Sequence, residues 1–242
     1  MTESKQQFSE RHGMSSKNIF PQDQITRSEM LQSSNRRDWL KYMGASMTFA
    51  SFALMFPASS FATTNQSLDH ISKPRFLGEP DAPIHIVEYF SMTCGHCGDF
   101  HNNTFPNVKS KMIDTGKVKF ELSPFPLDGL ALRAHALARA LPENKYFGMI
   151  TLLMNKQNEW MRADDPLKTL YRFGQLAGVS ADDFNGLMQN RSLLEKIVEM
   201  RELGSTKWQI NATPSFVVNN KKVISGNKTF DEFSAELAEF GI

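Results

Sequence analysis

Cys94 and Cys97 are the two cysteines of this 242-residue chain, separated only by Gly95 and His96. Thiols at this spacing come within disulfide reach of one another on a single turn of backbone, so the pair can close and reopen. A stapling framework needs more cysteines at wider spacing, which leaves local redox chemistry, metal binding or a buried pair of small apolar side chains. The residues from Cys94 to Thr115 read as a helix, opened at the cysteines, kinked at Pro106 and ended by Gly116. A cysteine at a helix N-terminus has its thiolate held by free backbone N–H groups and by the helix dipole. One thiolate then acts as nucleophile and the second cysteine resolves the mixed disulfide. Zinc is the serious rival. Cys94, Cys97 and His101 supply three ligands with His96 a poor fourth, but a closed site takes four converging ligands and the chain has no second Cys or His pair.

Three neighbours bear on that chemistry. His96 sits between the thiols, where a ring N–H can donate to the Cys94 thiolate and add charge when protonated; the alternative is a neutral, exposed ring. Glu88 falls on the same strand face as Ile84, Ile86 and Phe90, so it points into the core if they do, and a buried carboxyl is costly without a task. Its alternative is an edge position open to water. His101 lies one helical turn past Cys97, as site residue or as surface position.

The elements that must hold these residues follow from pattern. Pro80-Asp81-Ala82-Pro83 is a turn, and Ile84 to Phe90 is a β-branched and aromatic strand leading straight to Cys94. Val118 to Leu122 alternates as a second strand, stopped by Pro124 and Pro126. From Asp128, apolar residues recur at helical spacing through Leu141, and again over 144–155, 166–177 and 191–207. Ser215 to Val218 returns to strand, Asn219-Asn220 turns it into Lys222-Val223-Ile224, and Thr229 with Glu232 forms a capping box for a last helix to Phe240. The order predicts an α/β fold: a mixed sheet with helices on its faces, interrupted by an all-helical block. The expected divisions are 1–62 as tail and export signal, 63–127 as the first part of the sheet domain, 128–207 as the insertion and 208–242 as the second part.

Residues 1–35 are polar and mixed in charge and read as a disordered tail. Asn35-Arg36-Arg37-Asp38-Trp39-Leu40-Lys41 follows, then an apolar stretch from Tyr42 to Phe56, Pro57, and the small-residue exit Ser60-Phe61-Ala62. Basic end, apolar middle and small-residue exit describe a signal peptide, with Thr63 to Ser72 as a polar linker beyond it. The paired arginines resemble a twin-arginine export signal, with Asn35 and Trp39 as departures from the usual pattern. A membrane tether is the alternative, although fifteen residues fall short of the roughly 20 a spanning helix needs. Removing the 7 basic and 5 acidic residues of 1–62 from totals of 27 and 26 takes the net charge from +1 to −1. A nearly neutral chain gives no electrostatic argument for a nucleic-acid partner.

Val87-Glu88-Tyr89-Phe90-Ser91-Met92-Thr93-Cys94-Gly95-His96-Cys97 resembles the active-site segment of the DsbA-type periplasmic disulfide oxidoreductases. The likeness continues through Phe125-Pro126-Leu127-Asp128 and Ala177-Gly178-Val179 to Thr213-Pro214-Ser215-Phe216-Val217-Val218-Asn219, and spans about Phe76 to Phe240. It implies a thioredoxin-like mixed sheet with an inserted all-helical domain, and disulfide introduction into exported cysteine-containing proteins without metal or organic cofactor. It also implies a membrane or soluble redox partner that resets the pair. By the same likeness Glu88 is a proton acceptor for Cys97, and Thr213 with a cis Pro214 faces the disulfide and holds the substrate strand. Two departures leave the redox poise open between oxidant and reductase or isomerase: Gly95-His96 stands where Pro-His is common, and Asp99 and His101 stand where many members carry Glu. A cysteine-using chaperone or metallochaperone built on the same groove is the binding-module alternative.

Overall fold

A computed structural model describes residues 68–242. The tail, the twin-arginine-like segment and the apolar stretch expected within 1–62 lie outside the described residues. The described residues open on a short helix, α1 (Leu68–Ser72), followed by β1 (Phe76–Leu77) and β2 (Ile84–Phe90). Five residues expected as linker are therefore helical. Ile71 accounts for this, because it buries against Leu193 and Ile197 of a later helix.

The helix after Cys94 is built in four pieces. α2 (Gly95–Asp99) runs into a π-helical turn (Phe100–Thr104), then α3 (Phe105–Val108) and a second π-helical turn (Lys109–Ile113). The switch from π to α at Phe105 lies next to Pro106, where a kink is expected. Pro106 occupies the first turn of α3, where its missing N–H costs least, and the π turn before it absorbs the change of path. β3 (Val118–Pro124) follows, two residues longer than its alternation suggests.

Six helices come next: α4 (Gly129–Ala140), α5 (Glu143–Asn155), α6 (Gln157–Met161), α7 (Pro166–Leu176), α8 (Ala181–Gln189) and α9 (Arg191–Trp208). Their starts are written in side chains. Asp128, Asp165, Ser180 and Asn190 each accept a backbone N–H at the N-cap of α4, α7, α8 and α9. β4 (Ser215–Val218) and β5 (Lys222–Ser225) form the hairpin, with Asn219 and Asn220 both at positive φ as a tight turn requires. α10 (Phe230–Leu237) carries the full Thr229–Glu232 capping box.

The strands order as β1-β3-β2-β4-β5. β2 runs parallel to β3 and antiparallel to β4, so it is the central strand and is covered on both faces. One face presents Ile84, Ile86 and Phe90 to the main core, with Phe120, Phe100, Phe216 and Phe233. The other presents Val87 and Tyr89 to Phe125, Ile210, Val217 and Trp208. α9 comes so close on that second face that a methyl at Gly204 would lie 2.6 Å from the Tyr89 ring.

Candidate active site

β2 ends at Phe90, and Ser91 to Thr93 carry the chain from the centre of the sheet to Cys94 at the N-cap of α2. Cys94 is extended (φ −81°, ψ 118°), and its carbonyl accepts the Gly98 N–H at 3.1 Å to open the helix. Its sulfur is half-buried and looks across to the 213–214 loop, 3.3 Å from the Thr213 carbonyl oxygen. Both cysteines are free thiols.

The two sulfurs sit in opposite environments. The Cys94 thiol is brought down to about 5. Donation from the Cys97 thiol is the largest cause; partial burial opposes it; Thr213 and the backbone N–H groups of Cys97 and His96 add to it. Thr213 acts in two senses. Its carbonyl accepts from the neutral thiol, while its hydroxyl, buried and otherwise without a hydrogen-bond partner, is the group able to donate to the thiolate. Cys97 is fully buried, and burial, the bond to Cys94 and the Glu88 charge push its thiol far up. Cys94 is thus a thiolate at neutral pH and Cys97 a thiol that gives up its proton only with help.

The Glu88 charge that acts on it comes from the neighbouring central strand. Glu88, in the middle of β2, is 0 % exposed. His101, on the π turn after α2, brings Nε2 to 3.2 Å from Glu88 Oε1 and 3.0 Å from Oε2. Only the longer contact is aligned as a hydrogen bond, so Oε2 is left as a buried acceptor without one. His101 is itself buried at 7 % exposure, which removes its reading as a surface residue. His96 is exposed, and its backbone N–H reaches the Cys94 sulfur. Thr213 and Pro214 are both buried, joined by a cis peptide bond, beside Cys94.

Gln157 gave no sequence signal, and Asp128 read only as the start of the helical region and as part of the family likeness. Gln157, opening α6, sends its amide nitrogen to the Met92 carbonyl at 3.0 Å and to the Cys94 carbonyl at 2.8 Å. Asp128 receives the Thr93 hydroxyl at 2.7 Å on Oδ2 while its Oδ1 caps α4. The helical block is therefore bonded directly to the turn that carries the reactive sulfur. Gln157 belongs to no apolar period and no motif; only a three-dimensional contact exposes it. Among the described residues no cluster of three or more His, Cys, Asp or Glu side chains is placed to hold a metal ion. Cys94 faces Thr213 while His101 faces Glu88, so the three ligands of the zinc reading do not converge.

The family model described as Thioredoxin matches residues 71–239. A Rickettsia conorii protein named as a protein-disulfide oxidoreductase is 30% identical over 159 residues, covering 65% of this chain and 57% of its own length. The chain thus spans little more than half of that relative. The crystal structure of α-DsbA1 from Wolbachia pipientis is 32% identical, covers 69% of this chain and 90% of its own, and superposes with a TM-score of 0.64. That of BdbD from Bacillus subtilis, 22% identical, shares the fold at a TM-score of 0.61 over 69% of this chain and 92% of its own. With the thiolate at a helix N-terminus, its buried partner and the Thr213–Pro214 loop across from them, the chain belongs to the thioredoxin family and, within it, to the DsbA-type oxidoreductases.

Proposed function

We propose that this protein is an exported oxidant that passes a disulfide from Cys94–Cys97 to cysteine-containing exported proteins. The observation that carries the reading is the asymmetry of the two thiols: an accessible thiolate at Cys94 beside a buried, protonated Cys97. A substrate thiolate attacks the Cys94 sulfur of the oxidised enzyme. Cys97 leaves and takes up a proton, for which Glu88 is the adjacent buried carrier. A second substrate thiolate then attacks its own sulfur in the mixed disulfide, and Cys94 departs as a stabilised thiolate. Thr213 and Pro214 form the wall along which the substrate strand lies, with backbone hydrogen bonds as its handle. His96 stands exposed at the mouth, where a protonated ring adds positive charge near the thiolate. A separate redox protein resets the pair.

Export rests on Arg36-Arg37, Leu40-Lys41 and the mild apolar stretch from Tyr42 to Phe56. Among the described residues no helix is long and apolar enough to cross a membrane. The test is direct. The oxidised protein should convert a reduced two-cysteine peptide to its disulfide stoichiometrically, and Cys94→Ser should abolish the conversion. Peptide oxidation that survives Cys94→Ser would overturn the reading.

A further inference from the structure

Cys97 and Glu88 are both 0 % exposed, so neither trades protons with water on its own. Each catalytic cycle nevertheless moves a proton onto Cys97 and off again, because its thiol is held far above neutrality whenever it is not in a disulfide. A route outward is required. The groups around Glu88 limit the choice. From α2 there is Cys97 itself. From α4 there is His135, stacked edge-on against Phe90 at 4.8 Å, fully buried and pushed down to about 3 by burial and Arg139, so it stays neutral and carries nothing. Arg139, also on α4, spends its guanidinium on the carbonyls of Lys73 and Leu122. Tyr146, on α5, is fully buried and its hydroxyl is held neutral by that burial. From the π turn comes His101, touching both Glu88 oxygens and, at 7 % exposure, the one group of this set that is not fully buried.

We propose that His101 is a positioning residue and proton conduit for the Cys97 half-reactions, acting through Glu88; this rests on the disulfide-exchange reading above. In the resetting direction the enzyme is a mixed disulfide between Cys94 and a partner cysteine. The Cys97 thiol gives its proton to Glu88 Oε2, the oxygen without a hydrogen bond. The Cys97 sulfur then attacks the Cys94 sulfur, the Cys94–Cys97 bond forms, and the bond to the partner breaks with the partner leaving as thiolate. The enzyme dithiol is oxidised and the partner disulfide reduced by two electrons. Glu88 hands the proton to His101, which exchanges it with water. His101 Nε2, hydrogen-bonded to Oε1 and 3.0 Å from Oε2, also fixes the carboxylate. The π turn is what places the ring there, because Phe90, Phe100 and Phe105 enclose it at centroid distances of 5.8, 5.8 and 5.2 Å.

Oxidised glutathione and the reduced full chain give the two steps separately. Acid-quenched mass spectra follow formation of the Cys94–glutathione adduct and its loss as Cys97 closes the ring. His101→Gln keeps a side-chain N–H for Glu88 but cannot pass a proton. It should leave adduct formation and the Cys94 thiolate titration within two-fold of wild type. Ring closure should slow at least ten-fold at pH 7, with a rate that now rises in proportion to hydroxide. Ring closure within two-fold of wild type with an unchanged pH profile would overturn the proposal. Should His101→Gln not fold, wild-type ring closure in mixed H2O and D2O serves instead: a curved dependence on deuterium fraction supports a relay of more than one proton, and a straight line refutes it. Failure of wild type to form any glutathione adduct would instead remove the disulfide-exchange reading itself.

Discussion

The Gln157 side-chain amide lies 2.8 Å from the carbonyl oxygen of Cys94, so a residue of the helical block holds the backbone of the residue whose sulfur reacts. The same nitrogen takes the Met92 carbonyl at 3.0 Å, one residue beyond β2 and the Ser91 that follows it. Gln157→Ala leaves the Met92 oxygen without that donor in a buried site, a loss of about 1–3 kcal/mol in stability. It also loosens the turn that aims the His96 and Cys97 N–H groups at the sulfur. We expect a lower melting temperature together with a Cys94 thiolate that titrates at higher pH, followed by absorbance at 240 nm. Gly98→Ala should act in the same direction, because the new methyl would stand 2.6 Å from Gln157 Oε1 and push the amide away. Unchanged thiolate titration in both variants would show that the clamp has no part in the chemistry.

Thr213→Val removes the hydroxyl available to the Cys94 thiolate and keeps the side-chain volume. A hydrogen bond to a charged group is worth about 1.5–3 kcal/mol when buried, and Cys94 is half-exposed, so a rise of about one pKa unit is expected. The Thr213 carbonyl contact is unaffected by the change, which lets the experiment separate the two roles of this residue. No shift would assign the effect of Thr213 to its backbone alone.

Alkylation distinguishes the two thiols. At pH 6 the reduced protein should label at Cys94, which lies above its pKa of about 5, while Cys97, buried and pushed far up, stays unlabelled until the protein unfolds. Peptide mapping after a brief iodoacetamide pulse reads the result. Equal labelling would refute the asymmetry on which the proposed function stands.

Gly204 tests how the helical block seats on the sheet. An alanine there would set its methyl 2.6 and 2.7 Å from two ring carbons of Tyr89, with Phe125 at 3.5 Å behind. Tyr89 is anchored in the central strand, so the ring has little room to yield. Overpacking of this kind costs about 1–3 kcal/mol. Gly204→Ala should lower the chemical-denaturation midpoint; a gain in stability from better helix propensity would mean that the helix shifts instead.

The legible part of this protein was the part written in local chemistry. Cys94-Gly95-His96-Cys97, Asn219-Asn220 and the Thr229–Glu232 box each state a backbone conformation or a reactive group within four residues, whereas the cis Thr213-Pro214 bond was implied by the family resemblance and not by the dipeptide. The strand alternation of Ile84 to Phe90 placed Glu88 in the core. Short elements escaped: β1 has two residues, and α1 and α6 have five each, too few for a period to show. α8 was hidden because its apolar face is reduced to Phe184, Leu187 and Met188. His101 stayed open between site residue and surface position because its burial is set on a π turn, which has no sequence signature. Gln157 and Asp128 act through contacts 63 and 35 residues away, which no local pattern carries.

The direction of the reaction follows from competing contributions to stability, and pH separates them. Cys94 titrates at about 5 in the folded reduced protein and near 8.5 in an unfolded chain. Its pKa is depressed on folding, so the unfolded state binds more protons between those values. The Cys94 contribution therefore grows as pH rises through that window and is lost as pH falls through about 5, while above about 8.5 the buried Cys97 thiol, which keeps its proton when the unfolded chain gives it up, begins to offset it. At about 1.4 kcal/mol per unit, and halved because the sulfur is half-exposed, the gain is about 2–3 kcal/mol. The oxidised protein has no thiolate to stabilise. Its disulfide closes a four-residue loop, which constrains the unfolded chain by about 2 kcal/mol at most, whatever the pH. The two curves should cross. Above pH 8 the reduced form should melt higher, and the disulfide is then the less stable state, ready to be given away. At pH 4 the order should reverse. Thermal melts of both forms at pH 4, 6 and 8.5 check this. An oxidised form that melts higher at all three values would sink the oxidant reading and make the protein a reductase.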